Sequence, residues 1–468
     1  MKTNFYKTTA LCILFASKVF ALFGQWNSQI PQINDTVWVY EHQLVDEQTA
    51  WLGGTEFFWS AANNRFVTGA ADVYFYKTGD GGKNWKSGRM PLSPTTSPYL
   101  TTIHAFDSAH AIIGIYLLSN GQNLIYRTRN GGTSWVRIAN NLFTNGASYL
   151  DGIAFKDTLN GIAMGDPVGD INSTAAYFEI YRTEDGGLIW SRIPKSNIPD
   201  PLTDEIGYNG EISRIGNHIW FGTNMGRVFS SKDGGQNWKA DVVGTSDISY
   251  LKFVDSLHGV CYSEVPQQTG KLLYTEDGGN NWIDATPPFV TADNYYWSFC
   301  LLPQSYYLFI NISETFEGGP FKSYISKDLG KTWLQIGEND ELQVARFISP
   351  KVGFAGEGQI KNQDHGTKIF TYTGDPLTGL FDKKELKADM FITPNPATDF
   401  ITLDLHLQEP AETLLLINST DGKLMLKRQL ASAEKYSEQF DIGEFVPGEY
   451  TLTVTNKNGF ISKSIVKQ

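Results

Sequence analysis

The chain has 468 residues, a formal charge of −12, 13% aromatic and 19% charged residues, and three cysteines. That length suggests two domains plus a targeting segment rather than one small core. The acidic balance argues against a nucleic-acid partner, because phosphate binding needs a net basic face; the aromatic content without long charge runs excludes a disordered chain.

Residues 1–24 begin with Lys2 and Lys7, continue through an apolar stretch that Lys18 interrupts, and end in small residues. This is the pattern of a secretory signal peptide with cleavage after Ala21 or Gly24. Its apolar run of roughly fourteen residues is too short to span a bilayer, so the mature chain is expected to carry no transmembrane anchor. Removal of the leader leaves Cys261 and Cys300, which lie in apolar strand patterns and read as buried free thiols rather than a disulfide framework.

"DTVWVYEHQL" then offers a lone alternating strand, with Trp38 where the repeats below place a tryptophan. From residue 77 one phrase recurs six times. Its acid-or-amide and tryptophan positions are Asp80 and Trp85, Asn130 and Trp135, Asp185 and Trp190, Asp233 and Trp238, Asp277 and Trp282, and Asp328 and Trp333. The first of each pair advances by 50, 55, 48, 44 and 51 residues. A period of about fifty marks an array or propeller. An alternating strand such as "DVYFYKT" precedes each phrase. The phrase itself is a hairpin turn, in which Ser/Thr and Asp oxygens accept turn amides and glycine supplies positive φ.

A fainter phrase, as in "IHAFDSAHAIIG" and "YLKFVDSLHGVCYS", supplies two more strands per repeat. One repeat is therefore a four-stranded blade. The last repeat, "ARFISPKVGFAGEG" with "TKIFTYTGDP", has three strands and no closing tryptophan phrase. Pairing of the N-terminal strand with it leaves no open edge, and six full blades plus one shared blade make seven.

These turns resemble the Asp-box, S/T-x-D-x-G-x-x-W, of sialidase-like repeat proteins; Asn130 is the exception, and Leu329 fills a variable slot that the other copies give to glycine. The whole blade resembles the photosystem II assembly-factor type of seven-bladed propeller over residues 36–376. The resemblance implies a fold rather than an activity, and implies that the Asp-box residues brace blade turns away from the funnel.

Residues 377–389 read as a linker. Residues 390–468 form a separate module with alternating strands "FITLDL", "TLLLINS", "KLMLKRQL", "QFDIGEF" and "EYTLTVTN", predicted to be a small antiparallel β-sandwich. Pro394, Asn395 and Pro396, the Asp421–Gly422 turn, and Gly448 and Tyr450 in "FVPGEYTLTVTN" carry a resemblance to the C-terminal sorting domain of type IX secretion cargo from Bacteroidota. That resemblance implies passage of the outer membrane, the type IX machinery as a partner, and a secreted or cell-surface destination.

The expected fold is thus all-β: a seven-bladed propeller closed by its N-terminal strand, followed by a sandwich. For chemistry, glycoside hydrolysis requires two facing carboxyls, and Asp166, Asp170 and Glu205 are the loop acids to consider. Arg192–Pro194 follows a box rather than preceding the first, so it does not match the sialidase arginine motif. Tyr295, Tyr296 and Trp297 are candidates for stacking on a glycan or gripping a peptide. The seven histidines lack metal-ligand spacing and no nucleotide fingerprint is present, so neither metal nor cofactor is expected. The reading reached is a non-enzymatic binding or scaffold module whose funnel, lined by loops 166–180, 200–210 and 293–297, takes an unknown glycan or protein. The alternatives are an extracellular glycoside hydrolase and an assembly factor for an envelope complex.

Overall fold

The computed structural model describes residues 26–29, 37–56, 58–60, 65–67, 72–92, 97–139, 142–143, 148–168, 176–263, 270–291, 294–303, 305–313, 320–338, 342–357, 368–373, 377, 386–419, 424–456 and 459–468. Seven four-stranded sheets follow one another along the chain. Their innermost strands are Val37–Leu44, Pro98–Ala105, Leu150–Phe155, Ile212–Ile215, Tyr250–Phe253, Tyr295–Leu301 and Leu342–Ser349 for blades 1 to 7. These strands adjoin in cyclic order, and blade 7 returns to blade 1. The ring is closed, so the innermost edge of each blade is short and faces only the channel.

The core lies between blades rather than within any one of them. Seven apolar clusters fill the seven interfaces, and six of them take a box tryptophan: Trp135 between blades 1 and 2, Trp190 between 2 and 3, Trp238 between 3 and 4, Trp282 between 4 and 5, Trp333 between 5 and 6, and Trp85 between 7 and 1. The interface of blades 6 and 7 holds Trp26, which packs against Phe309, Phe347 and Tyr372.

Trp26 corrects the sequence expectation. The strand that closes blade 7 is Trp26–Gln29, in antiparallel register with Ile369–Tyr372. Val37–Leu44 is instead the innermost strand of blade 1, and Trp38 lines the channel. The propeller therefore starts at Trp26 rather than at residue 36. At its other end Leu377 is buried in the cluster that holds Trp26, and Leu386 already belongs to the next core, so the 377–389 linker is shorter than read.

The boxes are turns between the third and fourth strands. In the first, the Thr78 hydroxyl donates to Asp80 Oδ1 at 2.9 Å and accepts the Gly82 amide at 2.9 Å, while Asp80 accepts the Asn84 amide at 2.9 Å. Asn130 keeps the pattern, accepting the Ser134 amide at 2.9 Å and donating to the Ser134 hydroxyl at 2.8 Å. Two glycines are needed for different reasons. The first takes φ of +72° at Gly81, a conformation that Leu329 also adopts at +59°. The second permits close approach, since a Cβ at Gly82 would sit 2.5 Å from Phe354 across the interface. Each box is also tied to the turn between the first two strands of its blade, as in Gly131 N to Ala109 O at 2.8 Å and Gly278 N to Leu257 O at 2.8 Å. Both turn types thus share one face, and the opposite face carries the entries to the innermost strands.

The C-terminal module is a five-stranded sheet folded over one core. Two long strands, Phe400–Ser419 and Leu424–Asp441, run through both layers, so sequence segments read as four strands are two. The first half of Phe400–Ser419 pairs with Ala388–Thr393 and its second half with Gly448–Asn456. Asn395 clamps the final strand, donating to Ser464 O and accepting the Val466 amide, each at 2.8 Å. Tyr450 is buried and donates to Val446 O at 2.8 Å. Gly448 opens its strand. Pro394 and Pro396 flank Asn395 on the exposed approach to that clamp. Asp421 and Gly422 lie outside the described residues.

Candidate functional site: the central channel

The innermost strands enclose a cavity of about 830 Å³, a size in the range of ligand sites. At the face opposite the boxes its mouth carries Trp38 and Tyr40 of blade 1, Tyr99 of blade 2, and Tyr208 and Asn209 ahead of blade 4. Tyr40 and Tyr99 are stacked with centroids 5.4 Å apart. The Asn209 amide donates to the Tyr149 hydroxyl at 3.2 Å, and Tyr208 donates to Asp247.

Below the mouth lie Glu41, Glu211, Lys252 and Arg346, from blades 1, 4, 5 and 7. Glu211 sits 3.4 Å from Arg346 Nη2 and 3.7 Å from Lys252 Nζ. Arg346 Nη1 donates to Phe299 O at 2.8 Å. Glu41 reaches across to the Gly210 backbone, where a Cβ would lie 2.8 Å from either carboxyl oxygen. Burial, with Glu211 adding to it, pushes the Glu41 carboxyl up to about 8. Burial and the nearby Arg346 push His42 down to about 3, which keeps its imidazole neutral. Among the described residues neither ring nitrogen of His42 finds a well-formed hydrogen bond, although the Tyr40 backbone lies near enough to favour the proton slightly.

The acids read as loop residues have other employment, and Asp166 stands not on a loop but in the second strand of blade 3, Gly161–Val168, at a register shift. Asp166 accepts the Gly207 amide at 3.0 Å and is hydrogen-bonded to Asp151. Burial raises both carboxyls, Asp166 to about 6 and Asp151 well above the carboxylate range with Asp166 as its second cause. The two therefore share a proton near neutrality. A pair in direct hydrogen bond is closer than the separation that glycosidic hydrolysis needs. Glu205 is fully buried, ion-paired with Arg227, and accepts the Thr223 hydroxyl at 2.7 Å and the Leu202 amide at 2.8 Å. It anchors loop 200–210. Asp170 lies outside the described residues.

Tyr295 and Tyr296 pair with Ser313 and Ile312 at the start of blade 6's innermost strand, and Trp297 stands at a register shift between them and Ser298. Arg192 lies over the Tyr177 ring in blade 3, away from the channel lining. Cys261 and Cys300 are free and buried. Sequence reasoning missed Glu41, Asp151, Glu211, Lys252 and Arg346. Lys252 and Arg346 stood in quoted phrases, at the position before the aromatic in "YLKF" and "ARFI", and aligning those phrases across repeats was the available signal.

Residues 392–468 match the family described as secretion system C-terminal sorting domain. This module is a type IX sorting domain, and it marks the chain for secretion or cell-surface export. No curated protein matches the chain. Among solved structures, YCF48 from Cyanidioschyzon merolae is 16% identical, with a TM-score of 0.49, covering 74% of this chain and 98% of its own. YCF48 bound to D1 peptide is 15% identical, with a TM-score of 0.48 and coverages of 75% and 98%. The GH74 enzyme of Niastella koreensis is 12% identical, with a TM-score of 0.40 and coverages of 94% and 74%. At these values the likenesses carry no argument about activity. Among the described residues no helix is long and apolar enough to cross a membrane.

Proposed function

We propose that the chain is an exported, non-enzymatic binding module. Its leader is removed before Trp26, its sorting domain delivers it across the outer membrane, and its propeller presents the channel mouth to a ligand. The observation that carries this reading is the pairing of channel aromatics with acids already committed elsewhere. Trp38, Tyr40, Tyr99 and Asn209 line an open cavity, whereas Asp166 is bonded to Asp151 and Glu205 to Arg227. Aromatic faces beside a few polar groups suit recognition, and committed acids are poor general acids or bases. We include Tyr295, Tyr296 and Trp297, at the start of blade 6's innermost strand, in the proposed surface.

Affinity capture tests this reading. The exported protein and a Tyr99→Ala variant are compared on a glycan array and against outer-membrane extract. Loss of capture in the variant, with unchanged thermal stability, is the expected result. Equal capture by both would move the site away from the channel.

A further inference from the structure

The channel lining also indicates a ligand class, an inference that rests on the binding role just proposed. Register identifies one equivalent position in every innermost strand, the residue paired with the start of the second strand's apolar run. These residues are Gln43, His104, Ala154, Arg214, Lys252, Cys300 and Arg346, opposite Trp51, Ile112, Ile162, Ile219, Val260, Phe309 and Phe354. All seven line the channel. This waist holds three side chains that are permanent cations or nearly so, a histidine and no carboxylate, in a chain whose formal charge is −12.

We infer that the waist binds the carboxylate of an acidic saccharide whose ring lies against Tyr40 and Tyr99 at the mouth. Two carboxyls lie near Lys252 and Arg346: Glu211, which approaches them only at 3.7 and 3.4 Å, and Glu41, which burial keeps protonated near neutrality. Two cations loosely sharing one carboxylate leave donors for a second. His42 is neutral beside Arg346, and its ring nitrogens are buried without a well-formed hydrogen bond among the described residues, so it places no competing charge at the waist. Glu41, held protonated near neutrality by burial, adds an O–H. Facing Glu41 are Glu211, Lys252 and Arg346 from blades 4, 5 and 7, Tyr99 from blade 2, and Tyr40 and His42 on its own strand. The stacked tyrosines favour a flat sugar over a peptide end. A neutral sugar would leave the waist uncompensated.

Calorimetric titration of the full exported chain tests the inference with four probes: a galacturonic acid trimer, a sulfated oligosaccharide, a neutral xyloglucan oligomer and a peptide with a free C-terminus. The trimer is expected to bind at least ten-fold more tightly than the neutral oligomer. Lys252→Met, the less constrained waist variant, weakens it roughly 10- to 100-fold. Binding weakens as pH rises through about 8, and Glu41→Gln, which keeps a donor but cannot ionise, abolishes that loss. Equal affinity for the neutral oligomer, or an unaffected Lys252→Met, overturns the waist site while the binding role stands. Preference for the peptide or the sulfated probe overturns the uronic-acid assignment. Turnover of any saccharide defeats the binding role itself.

Discussion

Trp26→Ala is the sharpest perturbation of the ring. Trp26 is 9% exposed, and its ring centroid lies 6.1, 5.5 and 5.3 Å from Phe309, Phe347 and Tyr372, the last two edge-on. Burying a tryptophan removes roughly 150–250 Å² from water and edge contacts add to it, so truncation costs about 3–5 kcal/mol. For a domain of this size that is on the order of 5–10 °C in melting temperature. Trp38→Ala, in the half-exposed channel lining, costs less than about 2 kcal/mol. Differential scanning calorimetry on the two variants and the wild type makes the comparison. If Trp26→Ala melts with the wild type, or Trp38→Ala proves the more damaging, the assignment of the closing strand is wrong.

Other outcomes follow from named groups. Hydrogen bonds from Asn84 and Thr78 hold the Asp80 carboxyl down to about 2, and similar bonds lower Asp185, Asp233 and Asp277. Depressed folded values contribute stability above the unfolded range near 4 that disappears as pH falls through the folded values. Melting temperature should therefore drop between about pH 4 and 2, and less steeply in a variant with box Asp→Asn changes. Glu41 acts oppositely: its folded value near 8 exceeds the unfolded one, so its contribution is full below about 4.5 and is lost as pH rises through 8. Glu41→Gln should flatten that part of the melting profile. Glu205→Ala strands Arg227 beside a buried vacancy and should cost about 3–5 kcal/mol without changing channel affinity, as chemical denaturation and titration would report. Burial raises both thiols, so Cys261 and Cys300 should react with a thiol reagent only after unfolding.

The repeats were legible because each box must supply a hydroxyl, an acceptor, a glycine that permits close approach and a tryptophan at fixed spacing. Six copies gave the period and six blades, and the incomplete last repeat gave the seventh. Trp26 was not legible, because the closing strand comes without a box and only its ring fills the last interface. Trp38 was the more conspicuous candidate, standing in a longer alternating strand, but that strand is the innermost one of blade 1. The channel was hidden for a different reason. Lys252, Arg346 and Glu211 are single polar residues inside apolar phrases, and only cyclic closure brings blades 4, 5 and 7 to one axis with Glu41. Asp166 was visible as a loop acid, yet its partner Asp151 looked like an ordinary strand residue. Their shared proton depends on burial, which spacing does not reveal.

The central claim is that this channel recognises a ligand and does not transform it. The direct measurement is simultaneous: a polysaccharide panel incubated with purified exported protein, with bound ligand and newly formed reducing ends counted in the same samples. The account predicts saturable binding, weakened but not removed by Lys252→Met, with no reducing ends above background. Reducing ends that grow in proportion to enzyme and time would contradict it.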